Sequence, residues 1–265
     1  MPMLTTNDDV RLHYVDEGPS DAPVLLMIPG WGCSTQWFQA QISGLSGRFR
    51  VIAYDPRGQG RSQRTRAGQR MSRVAKDLDD VLTELGLREV VVLGWSLGAS
   101  TVLSYVDMFG CAALRGVVLV GGGPRLVNSD GWELGYIGSD EVPGWVATMR
   151  WDLETAADFL LPRFFTTEPP QLADLRADIT GMHNEAAAAM SYNVLTEDYT
   201  DVLGKVRVPA LVVTGSRDAV IPAGNAPFMA ERLPRARAVE IAEAGHAPFL
   251  ERPVEFNRVL ADFAG

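Results

Sequence analysis

The chain has 265 residues, 46% hydrophobic and 22% charged, and its 33 acidic residues outnumber 24 basic ones for a formal net charge of −9. This composition excludes disorder and low complexity, and the acidic balance argues against a nucleic-acid partner, which needs cations facing phosphates. No apolar run is long enough for a transmembrane helix, and the opening MPMLTTNDDV lacks the pattern of a secretory leader, so a cytoplasmic location is expected.

In chain order, the alternating run at 10–15 predicts an antiparallel edge strand. Short apolar runs at 24–28, 51–54, 90–93, 117–120 and 210–214 predict strands buried on both faces. The stretch 74–85 places Val74, Leu78, Val81, Leu82 and Leu85 on one helical stripe, with Gly86 as a stop. A strand is expected at 238–241 and a last helix at 253–263, with Pro253 in its first turn. Strands alternating with helices specify an α/β class with a mostly parallel sheet. Residues 122–200 break that rhythm. They offer helical pieces rich in aromatics and punctuated by proline, which predicts a helical cap inserted in a core of residues 1–121 and 201–265. Cys33 and Cys111 form no CxxC or Cys/His cluster and are expected to be packing residues.

The pentapeptide Gly94-Trp95-Ser96-Leu97-Gly98 follows the run VVVL and precedes small residues that open a helix. A serine on a sharp strand-to-helix turn exposes its hydroxyl and leaves the next amide, that of Leu97, free at a helix N-terminus. The hydroxyl still needs a base to take its proton. Of three histidines, His13 lies in the alternating first run and His183 in the insertion, where structural or surface roles are expected. His246 lies in a glycine-containing loop after a strand and is the candidate base. Asp218, after the strand at 210–214, is the candidate acid that orients it, in the order Ser96, Asp218, His246. The Pro29-Gly30-Trp31-Gly32 loop offers the Trp31 N–H as a second oxyanion donor beside Leu97. The Asp55 loop, DPRGQGRS, is expected to be scaffold for the site.

These pieces together (PGWG, DPRGQGRS, GWSLG, GSRDAVIP and GHAPFLERP) resemble the α/β-hydrolase-fold family over nearly the whole chain. Within it, the GW of the oxyanion loop, GWSLG, and HAPF followed by the Pro253-Val254-Glu255-Phe256 helix start most resemble the pimeloyl-acyl-carrier-protein methyl ester esterase group. The resemblance implies a mostly parallel sheet flanked by helices, a helical cap, nucleophile Ser96, acid Asp218, base His246 and oxyanion amides of Trp31 and Leu97. The family's usual histidine before the oxyanion-loop glycine is Pro29 here. No metal or organic cofactor is implied. The expected activity is carboxylic ester hydrolysis of a small to medium apolar substrate through an acyl-enzyme. An acyltransferase, cyclase or thioesterase using the same serine, a perhydrolase side activity, and a non-catalytic ligand binder remain alternatives.

Charge is distributed unevenly. Residues 122–200 hold 13 acidic and 4 basic residues, so the insertion carries the whole net charge. Esterases of that group are expected to meet an acidic carrier with basic cap residues, so the acidic insertion disfavours a carrier protein and favours a small-molecule ester or acyl substrate. Residues 48–76 hold nine basic residues and one acid, Asp55. The favoured expectation is that this stretch pairs with the acidic insertion; the alternative is a docking strip for an anionic partner.

Overall fold

Each buried apolar run forms a strand whose alternate side chains enter opposite layers. The computed structural model describes residues 2–265. Strands β1 (Met3–Thr5), β2 (Arg11–Glu17) and β3 (Val24–Ile28) are followed by helix α1 (Gln39–Leu45) and β4 (Arg50–Tyr54). Then come α2 (Met71–Glu84), β5 (Val90–Trp95), α3 (Leu97–Phe109) and β6 (Leu114–Val120). After the insertion come β9 (Ala210–Gly215), α8 (Asn225–Arg232), β10 (Ala236–Ile241), α9 (Pro248–Glu251) and α10 (Pro253–Ala264).

The eight strands are ordered β1-β2-β4-β3-β5-β6-β9-β10. β1 and β2 pair antiparallel, β2 is antiparallel to β4, and the remaining pairs are parallel. In β3, Leu25 and Met27 join one core layer with α1 and α10, while Leu26 and Ile28 join the other with α2, α3 and α8. That period of two, with both faces covered, is why these runs are continuously apolar. The antiparallel expectation for β2 holds, but β2 is not the edge: β1 pairs outside it. Three residues reading Met-Leu-Thr, with one buried side chain, carry too short a pattern to announce a strand.

Helix α2 buries Val74, Leu78 and Val81 completely, each contributing about 1.5–3 kcal/mol relative to exposure. Its other buried positions include Asp77 and Asp80. These carboxylates correct the charge expectation. Arg57, 1% exposed, donates to Asp77 with two bonds of 2.6 Å and to Asp8 with two of 3.0 Å. Arg73 bonds Asp77 and Asp80, Lys76 bonds Asp79 and Asp80, and Arg50 bonds Asp16. Four of the nine basic residues, Arg50, Arg57, Arg73 and Lys76, are thus paired from within the sheet-bearing part of the chain. Among the described residues, its one ion pair to the insertion is Arg66 to Glu185, at 3.8 Å. The physical reason is burial: a guanidinium taken out of water needs partners at hydrogen-bond distance, which the insertion's solvated carboxylates do not supply.

The insertion lies between β6 and β9. It comprises the two-residue strands β7 (Val127–Asn128) and β8 (Ile137–Gly138), which pair with each other, and helices α4 (Val142–Trp151), α5 (Leu153–Phe164), α6 (Leu172–Thr180) and α7 (Asn184–Thr196). None of it joins the eight-stranded sheet. No described helix is long and apolar enough to cross a membrane.

Candidate active site

Ser96 stands between β5 and α3 at φ 54°, ψ −117°, a backbone conformation that a non-glycine residue holds only under tertiary constraint. Its N–H donates to the Val120 carbonyl at 2.9 Å. The flanking glycines are required by contact. A Cβ at Gly94 would lie 2.1 Å from the Gly98 carbonyl oxygen, and one at Gly98 would lie 2.3 Å from that of Ile28. Leu97 begins α3, so its N–H has no acceptor within the helix.

The loop after β3 abuts this elbow. A Cβ at Gly30 would lie 3.2 Å from Ser96 Cβ. Trp31, next in that loop, donates its indole N–H to the Ala187 carbonyl in α7 at 3.2 Å, tying the loop to the insertion. The Asp55 loop supports it from behind. Gln59 Oε1 accepts the Cys33 N–H at 2.9 Å, and Asp55 accepts the Thr35 N–H at 2.6 Å. Asp55 also accepts from Arg61 N–H and contacts His13 Nδ1 at 3.0 Å. Because β2 runs antiparallel, buried His13 lies at the carboxyl end of β4, closer to the site than its place in the sequence suggests. Its partner is committed to holding the loop.

His246 is completely buried in the loop between β10 and α9. Its Nδ1 lies 3.0 Å from Asp218 Oδ2, while Asp218 Oδ1 accepts the N–H groups of Val220 at 2.8 Å and Ile221 at 2.9 Å. A carboxylate only accepts, so Nδ1 carries the proton and Nε2 presents a lone pair. That Nε2 is buried and makes no hydrogen bond within the protein. The imidazole is enclosed by Trp95 and Phe164, at ring-centroid distances of 5.5 and 5.1 Å, and Trp95 Nε1 donates to the His246 carbonyl at 2.8 Å. A Cβ at Gly121 would lie 3.0 Å from His246 Nδ1, so a side chain there would displace the ring.

Ser96, Trp31, Leu97 and Gly121 line one cleft of about 640 Å³, its mouth included. Its other walls include Leu126, Tyr136, Trp145, Met149, Leu160, Phe164, Ser191, Val194 and Leu195 from the insertion, and Val220 and Ile221 beside Asp218. None of the lining residues is charged. His183 precedes α7 and is not among them. Cys33 is buried behind the loop, its thiol pushed well above the usual range by desolvation. Cys111 is half-buried, and both are free.

Several residues here carried no signal in the sequence. Asp178 in α6 accepts from Ser34 Oγ at 2.5 Å and Trp37 Nε1 at 3.1 Å, and burial raises its pKa above the ordinary carboxylate value. Glu251 accepts the Gly245 N–H at 2.6 Å with one oxygen and the Thr166 N–H at 2.7 Å with the other, binding the insertion to the His246 loop. Partners more than 80 residues apart cannot be paired by reading local pattern.

Comparison with known proteins agrees with this architecture. A family model for the alpha/beta hydrolase fold matches residues 23–253. The chain belongs to the α/β-hydrolase-fold family. It is 31% identical to the bifunctional esterase/perhydrolase DCH of Acinetobacter calcoaceticus over 235 residues, covering 84% of each chain. It is 31% identical to a non-heme chloroperoxidase of Streptomyces lividans, covering 99% of each. A pimeloyl-[acyl-carrier protein] methyl ester esterase of Aeromonas hydrophila is 26% identical, covering 92% of this chain and 96% of that one. Among solved structures, an esterase from Exiguobacterium antarcticum superposes with a TM-score of 0.92 at 24% identity, over 99% of this chain and 98% of that one. Relatives of this kind support a hydrolase.

Proposed function

We propose that the chain is a serine esterase that cleaves neutral carboxylic esters of small to medium size through an acyl-enzyme on Ser96, residues 122–200 forming a cap over the core. The observation that carries this reading is the strained Ser96 elbow opening into a cleft without charged lining residues, with the His246–Asp218 pair beside it. Ser96 Oγ attacks the ester carbonyl while His246 Nε2 takes its proton. The Trp31 and Leu97 N–H groups stabilise the oxyanion of the tetrahedral intermediate. His246 then protonates the departing alkoxide, activates water, and returns a proton to Ser96 as the acid leaves. Asp218 orients the imidazole and stabilises its charged form. His246 Nε2 makes no hydrogen bond in the free protein, and its bond to Ser96 Oγ forms as substrate binds.

The lining argues for neutral substrates. A substrate carboxylate would enter without a cation to meet it, at a desolvation cost of several kcal/mol. A macromolecular carrier of acidic character is disfavoured separately by the insertion's excess of acidic residues.

The test is Ser96→Ala on short p-nitrophenyl esters, with a fluorophosphonate probe on the wild type. Turnover should fall by about 10³-fold or more, and the probe should label Ser96 alone. Unchanged turnover, or labelling elsewhere, defeats the assignment. Product analysis with and without an alcohol or amine acceptor separates hydrolysis from acyl transfer. The Acinetobacter relative's name supports a second use of the same intermediate: hydrogen peroxide replacing water as acceptor would yield a peracid and free serine.

A further inference from the structure

The cleft contains one hydroxyl whose position calls for a ligand. Tyr136 precedes β8, and its backbone N–H donates to the Leu126 carbonyl at 2.7 Å. The preceding Gly135 N–H donates to Asn128 Oδ1 at 2.7 Å, so the segment is pinned from two sides. The ring packs edge-on to Trp145 at a centroid distance of 6.1 Å, and both residues line the cleft. The Tyr136 Oη is buried and makes no hydrogen bond within the protein. Burial pushes its pKa well above the usual phenol value, so the group remains a neutral donor throughout the working pH range. Burying a hydroxyl without a partner is costly. Phenylalanine would fill the same space without that cost. The remaining cleft walls from the insertion are apolar apart from Ser191.

We propose that Tyr136 is a specificity-determining residue that donates a hydrogen bond to a second oxygen of the substrate. The preferred substrates are then neutral esters carrying an ether, hydroxyl or keto oxygen in addition to the ester group. This rests on the esterase reading above. It adds what that reading leaves open, namely how an otherwise apolar cleft discriminates among esters. A site that hydrogen-bonds a substrate oxygen rejects the analogue lacking it, because the site's own polar group is then left unpaired.

The experiment is an oxygen scan on wild-type protein and Tyr136→Phe. In one series, p-nitrophenyl esters of straight-chain acids are compared with isosteres in which an ether oxygen replaces one methylene at successive positions. In the other, alkyl butanoates are scanned likewise on the alcohol side and followed by pH-stat. Wild-type protein should prefer the oxygen-bearing ester at one position by on the order of tenfold in kcat/KM. Tyr136→Phe should abolish that preference and turn over the all-carbon ester faster than wild type. Wild-type protein that hydrolyses both series without preference at any position overturns the proposal, whether or not the variant folds. A preference equally strong in Tyr136→Phe overturns it too. Failure to hydrolyse any ester would instead defeat the esterase reading itself.

Discussion

Asp218→Asn tests the site most sharply, because the local structure dictates how the new amide must sit. Asp218 Oδ1 accepts two backbone N–H groups, those of Val220 at 2.8 Å and Ile221 at 2.9 Å. An asparagine keeps both bonds only if its oxygen occupies the Oδ1 position, which turns its NH₂ toward His246 Nδ1. Rotating the amide to spare the imidazole would aim its hydrogens at two N–H donors. Two accepted bonds, each worth about 0.5–1.5 kcal/mol, would become repulsive contacts. The imidazole must therefore accept at Nδ1 and carry its proton on Nε2, where it can no longer take one from Ser96. In a serine protease the equivalent tautomer error costs about 10⁴ in kcat, or roughly 5.5 kcal/mol of transition-state stabilisation. The assay is kcat and KM on a p-nitrophenyl ester, with circular dichroism and a melting curve to verify the fold. KM should change little, because Asp218 is not a wall of the cleft. A folded variant that loses less than tenfold in kcat would refute the role given to Asp218 and the tautomer argument with it.

Other consequences concern the framework. Arg57→Ala leaves Asp77 buried without its bidentate partner and should destabilise the protein by about 3–5 kcal/mol, measured by urea titration; a loss below 1 kcal/mol would contradict the network's role. Burial raises the Asp178 pKa, so its contribution to stability is greatest below the unfolded-state value and is lost as pH rises through the folded-state one. Asp178→Asn should therefore raise the melting temperature, relative to wild type, more at pH 8 than at pH 4; the reverse order would overturn the assignment. Gly98→Ala places a Cβ 2.3 Å from the Ile28 carbonyl oxygen and should abolish esterase activity, with loss of soluble protein or of fluorophosphonate labelling as the readout. Simultaneous charge reversal at Arg64, Arg66 and Arg70, none of which lines the cleft, should leave kcat/KM for a neutral ester within about twofold. A larger drop would give the strip a part in substrate capture.

The fold was legible because its signals are local. Five apolar runs of four or five residues, each buried on both faces, can be read without knowing what covers them. The elbow is legible as a short local motif, although only the Gly94 contact lies within the strand-turn-helix unit and Gly98 answers the Ile28 carbonyl of β3. Asp218 and His246 are nominated as candidates because each follows a strand; the parallel sheet delivers such loops to one edge, where the two side chains meet. The charge pattern misled. A count of basic residues at 48–76 says nothing of which are buried, and the carboxylates that pair with Arg57 and Arg73 sit on a helix stripe and an N-terminal turn. The place of β2 in the sheet was misread for lack of length in β1.

By itself the sequence determined the α/β class and the strand-helix order, pointed to the helical insertion, and nominated Ser96, Asp218 and His246 as candidate site residues. Periodicity and turn chemistry are properties of neighbouring residues, so they survive without coordinates. Tertiary structure alone decided what surrounds those residues. It packs Phe164 of α5 against the His246 ring and ties Trp31 to α7. It also buries the Tyr136 hydroxyl in a cleft wall without charge. Such contacts join parts of the chain that only the closed fold brings together.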